Sequence, residues 1–126
     1  MKSITVAVPS TLPGGMDSPL GAHFGHCDLY TLVEIADDKI QNVRLLPNVP
    51  HQQGGCMAPV NHLAQNGVNT LIAGGMGMRP LMGFNQVGIN VMYAGGFQTV
   101  GEAVQAFLQG SLRQFTSDYT CGGGGA

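Results

Sequence analysis

The thiols Cys27, Cys56 and Cys121 and the imidazoles His23, His26, His51 and His62 are the side chains of this 126-residue chain best suited to chemistry, and the chemistry they suit is soft-metal binding. His23, His26 and Cys27 lie within five residues of one another. One folded loop can therefore present two imidazole nitrogens and a thiolate to a single metal centre. An alternative leaves the metal out: His23 caps its loop by hydrogen bonding, and Cys27 is a small apolar side chain at a strand entrance, where free cysteine is commonly buried.

Cys56 follows Gly54-Gly55 and stands at the start of an expected helix. Free backbone N–H groups and the positive end of the helix dipole favour thiolate there, and His51 lies on the same approach loop. The two glycines equally suit a plain tight turn. Gly74-Gly75-Met76-Gly77 offers consecutive N–H groups as a nest for a polyanion such as a sulfide-bridged cluster or an oxyanion, and Arg79 can add charge-assisted contacts. A simple glycine turn between strand and helix is the competing reading.

Other chemistries fit poorly. No Lys-Ser or Lys-Thr follows the second glycine run, and its spacing is not that of a dinucleotide fingerprint. The acids Asp17, Asp28, Glu34, Asp37 and Asp38 fall in loop and hairpin positions, and no Ser/His/Asp set is indicated, so an enzyme is not expected. Met57, Met76, Met78 and Met82 are soft, but methionine at helical spacing usually packs a core; Met76 and Met78 are the two worth testing as thioether contacts. His62 falls six residues after Cys56, on another side of the helix, and reads as a satisfied histidine rather than a ligand.

Composition narrows the setting. A net charge of −2 with five Lys plus Arg supplies no basic patch for nucleic acid, and no run approaches the roughly 20 apolar residues of a membrane span. The N-terminus is too polar for a signal h-region, and three widely spaced cysteines make a poor disulfide framework. Reduced thiols in the cytoplasm are the expectation.

The elements that must position these residues follow from hydrophobic period. Residues 2–9 alternate as a strand with Ile4, Val6 and Val8 on one side, and Pro9 ends it. The loop over 10–26 is too long for a routine connection, which suggests a site. Residues 29–35 and 40–46 alternate on either side of Ala36-Asp37-Asp38-Lys39 and should pair as an antiparallel hairpin. Helices are expected over 56–66, from Arg79-Pro80 to about Val87, and after an N-cap at Thr99, with Gly67, Gly88 and Gly110 as stops. Strands are expected over 70–73 and 89–93. Together they give a single α/β domain over residues 1–110, a five-stranded mixed sheet with an antiparallel N-terminal hairpin flanked by helices. The Gly-rich tail over 111–126, carrying Cys121, is too polar to order itself and should be mobile unless bound.

The order of these pieces, with Gly21-Ala22-His23-Phe24-Gly25-His26-Cys27 leading into the second strand and Gly54-Gly55-Cys56-Met57 at the first helix, resembles the dinitrogenase iron-molybdenum cofactor biosynthesis family of nitrogenase accessory factors. The similarity spans roughly residues 2–109, and His23-Phe24-Gly25 is its most specific element. The resemblance implies a ribonuclease-H-like motif fold and binding of iron-sulfur or iron-molybdenum precursors, as in NifX-type carriers; a relative, the orange protein, carries a molybdenum-copper sulfide cluster. The glycine-rich tail with Cys121 and the extra methionines depart from that pattern.

On this reading the chain carries and transfers a metal-sulfur cluster or its precursor. His23, His26, Cys27 and Cys56 are the metal donors, and Gly54, Gly55, Gly74, Gly75, Met76, Gly77 and Arg79 form the cradle. Its partners are cluster donor and acceptor proteins, and it is a monomer or weak dimer. A metal-free interaction or regulatory module and a mononuclear copper or zinc carrier are the alternatives.

Overall fold

A computed structural model describes residues 3–20, 28–47, 57–76, 78–94 and 97–116; for Met57, Ala58, Pro59 and Arg79 only the backbone is described. Six strands and three helices follow in the order β1 (Ser3–Ser10), β2 (Leu29–Ala36), β3 (Lys39–Pro47), α1 (Met57–Gln65), β4 (Thr70–Ala73), α2 (Met78–Val87), β5 (Asn90–Tyr93), α3 (Val100–Leu108) and β6 (Arg113–Gln114). The sheet runs β3-β2-β1-β4-β5-β6. β1, β4 and β5 are parallel neighbours; β2, β3 and β6 run antiparallel to the strands beside them.

Alternation along the strands sorts the core into two layers. Ala7, Tyr30, Leu32, Leu71 and Val91 face Val60 and Leu63 of α1 and Leu81 and Phe84 of α2. Their neighbours Val6, Val8, Val33, Ile35 and Ile72 face Val100, Ala103 and Val104 of α3. A period of two puts adjacent strand residues on opposite faces, so an apolar run such as Val6-Ala7-Val8 feeds both layers.

Local chemistry closes the elements. Asp37 and Asp38 take φ of 54° and 63°, the paired left-handed conformation of a two-residue hairpin turn, which aspartate tolerates better than most residues. Gly67, Gly88 and Gly110, the expected helix stops, have φ of 78°, 81° and 74°.

One expectation is corrected: the sheet has six strands rather than five, and the sixth lies beyond residue 110. Arg113 and Gln114 pair with Tyr93 and Met92, and Phe115 is buried in the α1/α2 layer with its ring edge-on to Tyr93, centroids 5.8 Å apart. A single aromatic supplies the apolar area that a mostly polar stretch otherwise lacks. The remainder of the expected tail, including Cys121, lies outside the described residues.

Candidate functional site at the carboxyl edge

The pairing register fixes which strand ends lie together. Ser10 at the end of β1 is opposite Leu29 at the start of β2, and Leu29 is opposite Pro47 at the end of β3. β4 and β5 run parallel to β1, so Ala73 and Tyr93 end at the same edge. The connections over 11–28, 48–56, 74–77 and 94–99 therefore all start from this carboxyl edge, where ligands gather in open α/β sheets. Three of the four are the connections in which the sequence places its candidate residues.

His23, His26, Cys27, His51, Gly54, Gly55, Cys56 and Gly77 lie outside the described residues, so only the points from which their loops leave and return are fixed. His62 bridges two of those points: its Nε2–H donates to the Pro47 carbonyl at 3.0 Å, tying α1 to the end of β3 across the loop that carries Cys56. It is satisfied, as expected. Among the described residues, no group of three or more His, Cys, Asp or Glu is placed to hold a metal ion.

Of the cradle residues, Gly74 is exposed, and a Cβ built on it meets no described residue within 4 Å, so a ligand can approach the backbone there. Gly75 is buried. Met76 needs correction as a thioether contact: its side chain is fully buried among the residues packed by α1 and α2, which leaves only its backbone for a ligand. Met78 packs partly against the same layer, whereas Met82 is exposed. Arg79 stands in the first turn of α2, a turn with no acidic residue, and its side chain is among those not described.

The other half of the edge is built differently. After β1, a buried hydroxyl chain fixes the loop: Gly15 N–H donates to Thr31 Oγ1, Thr31 Oγ1–H to Ser10 Oγ, and Ser10 Oγ–H to the Val8 carbonyl, at 3.1, 2.8 and 2.7 Å. The loop then lies on the start of α3. Val100 N–H donates to Ser18 O, Gly101 N–H to Met16 O at 2.7 Å, and Leu20 N–H to Gln98 O. Thr99 Oγ1 accepts from Glu102 N–H, and Glu102 Oε1 accepts from the N–H groups of Gln98 and Thr99, a complete capping box. Gly101 lets the loop come this close, because a Cβ there would sit 3.0 Å from Met16 O. Beside this junction lies an open groove of about 860 Å³. In the sequence Asp17 reads only as one of several loop acids, and the glutamines recurring along α3 form no motif that marks the groove.

An open α/β domain whose connections converge on one edge has the architecture in which, across such folds, the strands form the scaffold and the loops at that edge are where ligands are usually found. A model of the dinitrogenase iron-molybdenum cofactor family matches residues 2–110, and the chain belongs to that family. An uncharacterised protein from Methanocaldococcus jannaschii is 31% identical over 98 residues, 76% of this chain and 82% of that protein. The apo form of the orange protein from Desulfovibrio gigas shares the fold with a TM-score of 0.77 and 25% identity, covering 89% of this chain and 92% of that one. A Thermotoga protein solved by NMR gives a TM-score of 0.71 and 27% identity, covering 90% and 97%. Among the described residues, no helix is long and apolar enough to cross a membrane.

Proposed function

We propose that this chain binds a metal-sulfur cluster or its precursor at the carboxyl edge of the sheet and passes it between donor and acceptor proteins in the cytoplasm, acting as a carrier and not as an enzyme. The observation that supports it most is the register. Loops bearing three imidazoles and two thiols leave from the same edge as the exposed Gly74 turn. Family membership gives such a convergence its meaning.

In this reading His23, His26, Cys27 and Cys56 supply soft and borderline donors that exchange rather than trap the cargo. Gly54, Gly55, Gly74, Gly75 and Gly77, with the backbone of Met76, approach an anionic cluster closely because no side chains intervene, and Arg79 offsets its charge. Thiolate donors make loading release protons, so retention weakens as pH falls. The chemistry is ligand exchange; no bond of a substrate is cleaved.

The test is anaerobic: the metal-free protein is incubated with iron, sulfide and thiomolybdate, with and without copper, then desalted and assayed for metal and acid-labile sulfide. Wild type should retain several metals with sulfide, and His23→Ala and Cys56→Ala should each retain less. Retention of one copper or zinc without sulfide would point to a mononuclear carrier, and no retention under any condition would contradict metal carriage.

A further inference from the structure

We propose that the groove beside α3 is a docking surface for an arginine-bearing segment of a partner protein. Among the described residues, the two charged ones that line it, Asp17 and Glu102, are both acids, and none is a cation. Helix starts usually attract anions, but here the first-turn N–H groups of Val100, Gly101 and Glu102 already donate to Ser18 O, Met16 O and Thr99 Oγ1. With the donors occupied and carboxylates at the rim, an anionic sulfide cluster is repelled, and the groove is not the cargo site.

A guanidinium fits what remains. Met16 and Phe97 are half-buried and give an apolar and aromatic surface for the arginine stem and plane, with exposed Asp17 beside them. Both hydrogen bonds to Glu102 end on Oε1, which leaves Oε2 to accept a charge-assisted bond. Gln105 and Gln109, exposed and one helical turn apart, offer amides to the backbone of the bound segment. Three backbone bonds from the 16–20 loop hold the wall in place before any partner arrives, which lowers the entropy lost on docking. Leu20 ends that wall three residues before His23 in the sequence.

The groove is read independently of any metal, so its test can fail or succeed without touching the carrier reading. The isotope-labelled, metal-free protein is titrated with a short peptide of arginine and leucine residues, and its amide signals are followed by NMR. Saturable shifts should map to residues 16–20 and 97–109, and Asp17→Lys and Gln105→Lys, both at exposed positions, should each weaken binding about tenfold. Spermine, which carries charge without an arginine plane or apolar side chains, should compete poorly. The hairpin turn at Asp37-Asp38 serves as an internal control for bare charge attraction. Shifts centred on that turn, equal competition by spermine, or binding unchanged in both variants would overturn the proposal.

Discussion

The turn after β4 and the junction before α3 stand at the same edge of one sheet and present their backbones in opposite ways. At the α3 junction, loop carbonyls and a capping box take the helix's first N–H groups, Gly101 is pressed against Met16 O, and the exposed charges are acidic. At the β4 turn, Gly74 is exposed with no described residue against it, and the first turn of α2 contains no acid. Glycine serves two purposes here: at 101 it admits the protein's own chain, and at 74 it leaves room for something else. One half of the edge is a closed structural joint suited to a cationic partner, the other an open approach suited to an anionic cargo.

Substitutions can break that contrast. The largest effect is expected for Gly101→Val, which forces side-chain atoms into Met16 and its carbonyl and should cost about 2–3 kcal/mol in urea unfolding. A neutral outcome would mean the loop is not held against α3. Thr31→Val keeps the shape but removes the acceptor for Gly15 N–H and the partner of Ser10, with an expected loss of about 2 kcal/mol measured the same way. Thr99→Ala should lower the thermal midpoint by an amount corresponding to about 1 kcal/mol, the usual worth of a threonine cap. Gly74→Ala should shift stability by less than about 0.5 kcal/mol, because its Cβ meets no described residue, yet reduce retained metal and sulfide. A destabilised Gly74→Ala with unchanged retention would reverse the roles assigned to the two glycines.

Much of this scaffold was legible in the sequence because local rules fixed it. Alternation through Val6 and Val8, the Asp37-Asp38 turn and the Thr99 cap each depend on residues a few positions apart. What escaped depends on distant partners. Phe115 is one aromatic in a polar stretch, and the pairing of β6 with β5, continued by the bond from Phe115 N–H to Val91 O, brings it into the core. Met76 has the spacing of a turn residue, and burial alone shows that its sulfur belongs to the core. The α3 groove exists because Met16 and Gly101, far apart in sequence, touch. Candidate donors were nameable from residue type and spacing, and the register adds that their loops share an edge.

The most direct test of the carrier reading is to load the labelled protein anaerobically with thiomolybdate and copper(I), a diamagnetic cargo, and map the amide shifts. The carrier reading predicts shifts at Gly74 and the strand ends at Ser10, Leu29, Pro47 and Tyr93, with residues 101–109 of the α3 groove unmoved. Shifts centred on the groove, or no shift in a protein that retains the metals, would contradict it.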